Sequence, residues 1–136
     1  MNIKEAELRA RKREASIRWK QRQCFIQRGV RDMLKHYDMK DLNFEQRLAM
    51  MSEELDELRA AETPEDRVDA LIDLLVFTVG TIELAGVDLQ KAFNTVMEAN
   101  MAKVPGTVTR DGITGQDLIK PDGWVAPDHT GNTGGL

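Results

Sequence analysis

Two acidic stretches lie close together in this sequence. Glu53, Glu54, Asp56 and Glu57 crowd into five residues, and Asp69 and Asp73 interrupt a run of Leu, Ile, Val and Ala. On a helix, at about 100° per residue, Glu53, Glu54 and Glu57 fall within an arc of roughly 100°. Glu54 lies nearest the apolar side. Glu54 and Glu57 are spaced i,i+3, so their carboxylates can converge on one cation. Taken alone, such a stretch also reads as a solvated acidic face. Asp69 and Asp73 change the balance. They share a helical face with Val76 and Gly80, and an unpaired buried carboxylate is strongly disfavoured. Residues 68–90 contain no Lys or Arg to neutralise it. A cluster of oxygen ligands without His or Cys suits Mg²⁺ or Mn²⁺. The expectation is that the two acidic stripes face each other across a metal site.

Asn100 and Lys103 continue an apolar stripe of Leu89, Phe93 and Val96. They turn that face polar and cationic at its last turn. Lys103 can serve there as a partner for the helix C-terminus. Alternatively, the pair reaches a phosphate, because carboxylate-held magnesium commonly works together with substrate phosphates.

The elements that must position these residues are helical. Residues 4–23 carry no continuous apolar stripe and read as a weakly anchored helix. Ile26, Val30, Met33, Leu34 and Tyr37 then repeat at helical spacing. Asn43 and Gln46 resemble a capping box ahead of a second helix with the seam Phe44, Leu48, Met51, Leu55 and Leu58. Thr63-Pro64 opens a third helix that runs to about Ala85 and stops at Gly86. Its near-continuous apolar run from Leu71 to Val79 predicts the buried central helix. Asp88 caps a fourth helix ending near Lys103.

Seven of the ten glycines and three of the four prolines lie beyond residue 104. That segment reads as irregular, with "HTGNTGGL" disordered. The predicted fold is an all-α four-helix bundle over residues 24–104. A basic helical extension (1–23) precedes it and a loop-rich tail (105–136) follows.

The totals exclude several classes. The 136 residues suit one domain. A lone Cys24 and two histidines, His36 and His129, argue against a disulfide, a thiolate zinc site and most histidine triads. No apolar run is long enough to span a bilayer and the charged N-terminus is not a signal peptide, so a cytoplasmic protein without membrane partners is expected. Residues 1–23 hold eight basic and three acidic residues, net +5, leaving −9 for the rest of a chain of net −4. Such an arm suits a solvated helix, a partner subunit or nucleic acid. Strong nucleic-acid binders usually have a basic body as well.

The ordered set Glu53-Glu54-x-x-Glu57, Asp73-Leu74-Leu75 and Asn100-x-x-Lys103 resembles the all-α nucleoside triphosphate pyrophosphohydrolases. These comprise the MazG-like proteins, dimeric dUTPases and phosphoribosyl-ATP pyrophosphohydrolases. "DALIDLLVFTVGTIELAGVD", "VMEANMAKV" and "IKPDGWVAPD" look most like the small single-domain MazG-like proteins of bacteria and phages. The resemblance covers about residues 25–128. It implies Mg²⁺-dependent hydrolysis of a (d)NTP to a (d)NMP and pyrophosphate, as nucleotide-pool housekeeping, by a homodimer or homotetramer. It implies Glu54, Glu57, Asp73 and Asp69 as metal ligands and Glu53 as the residue that activates water. Asn100 and Lys103 would bind phosphate, with Phe25, Trp19 or Trp124 as candidates to stack on the base. One departure stands out. The family pattern has a glutamate three residues before the aspartate of the third helix, and here that position is Ala70. The departure leaves open a catalytically weak nucleotide- or metal-binding relative. The basic arm leaves open a nucleic-acid-associated helical protein.

Overall fold

The computed structural model describes the backbone of residues 2–136 and the side chains outside 19–24. The candidate Trp19, with the side chains of Lys20, Arg22 and Cys24, lies outside the described residues. The fold is mainly α, as expected. Its element order is α1 (Ile3–His36), α2 (Phe44–Ala60), α3 (Pro64–Ala85), α4 (Leu89–Met101), β1 (Val104–Arg110) and β2 (Ile113–Ile119). Contacts divide the chain into two compact units, residues 1–84 and 85–136.

In the first unit, the arm and the first core helix form one continuous helix of 34 residues, about 50 Å long. Asn2 and Glu5 cap it reciprocally, a capping box absent from the sequence reading. Residues 2–18 are all exposed. Asn43 Oδ1 accepts from the Gln46 N–H at 3.0 Å, and Thr63 Oγ1 from the Asp66 N–H at 3.1 Å. These start α2 and α3 where expected. Gly86 stops α3 with φ +73°, a conformation glycine adopts without strain.

The burial pattern departs from expectation in a systematic way. Val30, Leu34, Ala70, Val79 and Thr81 are buried, and so is Arg47, at 4% exposure. Phe44, Leu48 and Leu55 of the predicted α2 seam are exposed. The residues α2 turns towards α3 are Arg47, Met51 and Glu54. The predicted all-round burial of α3 is also overturned. Val68, Leu71, Ile72 and Leu75 form an i, i+3, i+4, i+7 stripe left 39–61% exposed. Phe25 and Ile26 of α1, and Tyr37 just past its end, are exposed as well.

Arg47 fixes the α2–α3 seam. Its Nε donates to Thr81 Oγ1 at 3.0 Å and its Nη2 to the Phe77 carbonyl at 3.1 Å. The guanidinium also lies over the Phe77 ring, 5.3 Å from the centroid. Burial pulls its pKa below the ordinary arginine value. Gly80 leaves the room: a Cβ there would stand 2.6 Å from Nη2. On the other flank of α3, Glu83 accepts from Gln27 and, at 3.0 Å, from Arg31 Nε, which pins α1.

In the second unit, β1 and β2 form an antiparallel hairpin closed by Asp111-Gly112. Both turn residues have positive φ, +51° and +75°, as a two-residue hairpin turn of this hand requires. The tail beyond it is ordered, which corrects the reading of "HTGNTGGL" as disordered. The Asp88 N–H donates to Asn132 Oδ1 at 2.8 Å, and Asn132 Nδ2 returns a bond to the Asp88 carbonyl at 3.0 Å. The Gly135 N–H reaches the Ala85 carbonyl at 2.8 Å. Asn132 and Gly135 therefore supply polar partners to the corner between α3 and α4.

Arg47→Ala should destabilise the chain by about 2–4 kcal/mol, from lost packing and lost buried hydrogen bonds. Gly80→Ala should destabilise the wild type by about 1–3 kcal/mol through the clash with Nη2. In the Arg47→Ala background the same change should instead stabilise by up to about 1 kcal/mol, the helix propensity of alanine over glycine. Urea melts of the four chains check this, and equal effects in both backgrounds would refute the clash.

Candidate active site

The α2–α3 seam continues from Arg47 towards the acidic residues. Thr78 Oγ1 meets Met51 Sδ at 3.5 Å one turn on. Glu54 follows, where the helices run past one another. Helix spacing dictates this. Arg47, Met51 and Glu54 step along one face of α2, while Thr81, Thr78, Asp73 and Asp69 descend along α3 in the opposite direction.

Glu54 is half-buried, and its Oε2 is buried without a hydrogen-bond partner among the described residues. Its pKa is raised above the ordinary 4.5, first by burial, then by the charges of Glu57 and Asp73, a side-chain hydrogen bond with Glu57 and the charge of Asp69. Four of the sequence-predicted ligands therefore share one electrostatic environment. Asp73 is half-buried, and Glu57 and Asp69 are exposed. Glu57 and Asp69 line a cleft of about 460 Å³ together with Thr63 and Asp66. Ala70 also lines it and is buried at 5% exposure. The position that departs from the family pattern thus contributes to packing, while Asp69 beside it adds its charge to the field at Glu54.

No group of three or more such side chains among the described residues is already drawn into metal-holding geometry. The donor chemistry nonetheless fits a hard divalent cation. All the candidate donors are carboxylate oxygens, and Glu54 Oε2 is buried without a hydrogen-bond partner among the described residues. Glu53 is exposed on α2.

Asn100 and Lys103 belong to the second unit. Asn100 closes the last turn of α4 by accepting from the Lys103 N–H at 3.1 Å. The Lys103 ammonium lies 5.1 Å from the centroid of the Trp124 ring, and the Lys120 ammonium 4.9 Å from it. Trp124 Nε1 donates to the Ala99 carbonyl at 2.7 Å. The carboxylate of Asp117 feels the Lys103 charge but is already engaged by the Leu118 N–H and by Arg110, which hold it below the usual carboxylate range. Lys120 and the indole platform were missed by sequence reasoning, which placed Trp124 only as a base-stacking candidate. Arg47 was missed entirely. Its signal was a basic residue seven positions before Glu54, and so on the same helix face.

Among the described residues, no single helix is long and apolar enough to cross a membrane. Neither a curated protein nor a solved structure matches the chain. The family model of phosphoribosyl-ATP pyrophosphohydrolase matches residues 21–100, which takes in Glu53, the four carboxylates grouped around Glu54, and Asn100, but stops short of Lys103. With more than half of its length matched, the chain belongs to the phosphoribosyl-ATP pyrophosphohydrolase family, a nucleotide-hydrolysing branch of the all-α MazG-like superfamily.

Proposed function

We propose that this protein is a divalent-metal-dependent pyrophosphohydrolase that cleaves a (d)NTP between its α and β phosphates, releasing a (d)NMP and pyrophosphate. The observation that carries this reading is Glu54. A half-buried carboxylate with an orphaned oxygen, among three further carboxylates and no basic partner, calls for a cation. Glu54, Glu57 and Asp73 would hold Mg²⁺, or Mn²⁺ in its place, with Asp69 as the fourth acid. When bound, the ion would neutralise phosphate charge and lower the pKa of a bound water. Glu53, exposed beside the cluster, would orient and deprotonate the attacking water. Asn100 and Lys103 would bind phosphate oxygens.

The protein would work as a homo-oligomer. The stripe Val68, Leu71, Ile72 and Leu75 is apolar, regular and uncovered. Among the described residues no side chain is less than 2% exposed, so the chain alone offers a thin core that pairing would thicken.

Release of pyrophosphate from a panel of (d)NTPs and phosphoribosyl-ATP tests the activity. Turnover should disappear in EDTA and return with Mg²⁺ or Mn²⁺, and full hydrolysis in excess chelator would remove the metal from the reading. Asp73→Asn should abolish both metal binding and turnover. Glu53→Gln should keep metal affinity and lose about 10²–10⁴-fold in kcat. Near-wild-type turnover in that variant would reassign the water-activating group.

Proton linkage gives a second test, on the metal-free chain. Glu54 has a folded pKa raised above 4.5, so the fold prefers its protonated form. That stability is fully present below about pH 4.5 and is lost as pH rises through the raised value. Wild-type Tm relative to Glu54→Gln should therefore fall between pH 4.5 and neutrality, and metal should restore it only in the wild type. A constant difference would show that Glu54 titrates normally. Sedimentation tests the assembly: the wild type should be oligomeric and Ile72→Glu monomeric. A monomeric wild type would contradict the proposed pairing.

A further inference from the structure

We propose that Trp124 seats the ammonium groups of Lys103 and Lys120 as a paired oxyanion subsite, with Trp124 as a positioning residue and Lys120 as a second phosphate-binding lysine. Two cations share one indole, at 5.1 and 4.9 Å from its centroid, so their nitrogens lie no more than about 10 Å apart. Neither forms a salt bridge among the described residues. Asp117, the carboxylate that feels Lys103, is taken up by Arg110. Two like charges gathered on one ring face mutual repulsion, and a polyanion relieves it. The ring is itself fixed. Its Nε1–H fills the Ala99 carbonyl, one of the α4 C-terminal acceptors that have no partner within the helix. The tail carrying Trp124 is bonded again at Asn132 and Gly135. The ring thus stands ready before any ligand arrives. A flexible lysine held by a cation–π contact has less side-chain freedom to lose when it binds.

The ligand class is phosphate oxyanions, above all di- and triphosphate chains. Assigning the subsite to the nucleotide's phosphates rests on the pyrophosphohydrolase reading, but its affinity for an oxyanion does not. The test uses the full chain with Trp19→Phe, so that Trp124 is the only indole. Inorganic pyrophosphate is titrated in at low ionic strength without metal. Trp124 emission should change saturably. The Kd should rise at least fivefold in Lys120→Met and in Lys103→Met, and recover in Lys120→Arg. Lys91→Met, at the other end of α4, should bind as the parent does. Trp124→Leu should weaken binding by calorimetry while helicity by circular dichroism stays intact.

Absence of a saturable response, or parent-like affinity in Lys120→Met, overturns the proposal. So does a Lys103→Met chain that loses thermal stability but not affinity, because Lys103 is then only a partner of the helix terminus. Pyrophosphate binding that depends on both lysines in a chain that hydrolyses no nucleotide keeps the subsite and removes the enzymatic reading. Nucleotide turnover with an unchanged KM in Lys120→Met keeps the enzymatic reading and overturns the assignment of the subsite to the nucleotide's phosphates.

Discussion

The Arg47 guanidinium, buried against α3, sets the geometry on which the carboxylate site depends. It has no carboxylate partner among the described residues and is held by a hydroxyl, a backbone carbonyl and an aromatic face. Burying a charge this way is costly, and the site tolerates it only because each donor is directional. Direction is what the site needs. Once Arg47 meets Phe77 and Thr81, antiparallel helix geometry brings Met51 to Thr78 and Glu54 into the field of Asp73 and Asp69. Gly80 is part of the same device, since a side chain there would push the guanidinium away. On the far flank Glu83 ties α3 to α1 through Gln27 and Arg31, so α3 is bonded from both neighbours.

A polar seam between α2 and α3 has a consequence for the rest of the surface. A helix has a limited number of faces, and those spent on Arg47 and Glu54 cannot also carry leucine. The apolar residues of α2 and α3 therefore point elsewhere: Phe44, Leu48 and Leu55 on one helix, Val68, Leu71, Ile72 and Leu75 on the other. An exposed set of this size and regularity differs from scattered surface hydrophobes. The same sequence thus builds a polar seam and an apolar exterior from the amphipathicity of two helices.

This division explains what was legible in the sequence. Helix positions were, because Asn43, Thr63, Asp88 and Gly86 signal ends through local chemistry that the fold does not override. The acidic cluster was legible because carboxylates at helical spacing in an apolar run have few stable explanations. Which face is buried was not legible. Hydrophobic periodicity identifies a stripe but not whether it meets its own chain or another, so Phe44 and Leu48 were taken for core. Arg47 was invisible for the complementary reason, as a lone arginine on a helix ordinarily faces water. The hairpin was readable in principle from Asp111-Gly112, and was hidden by the glycine and proline content around it. The ordered tail was not readable, since Asn132 and Asp88 are 44 residues apart and each has ordinary turn chemistry on its own.

The second unit solves a different problem by a related means. Helix α4 ends in carbonyls that need donors, and it ends beside the two residues expected to meet phosphate, Asn100 and Lys103. A water or a following glycine could satisfy those carbonyls. An indole satisfies Ala99 and also presents a π face, so one side chain both finishes the helix and organises the cations beyond it. The tail then has reason to be ordered rather than merely to be present. Its bonds to Ala85 and Asp88 anchor the strand of chain that delivers Trp124. In both units, then, one large planar side chain with a directional hydrogen bond fixes the local packing: Arg47 joins α2 to α3 through Thr81 and Phe77, and Trp124 joins the tail to the end of α4 beneath two lysines.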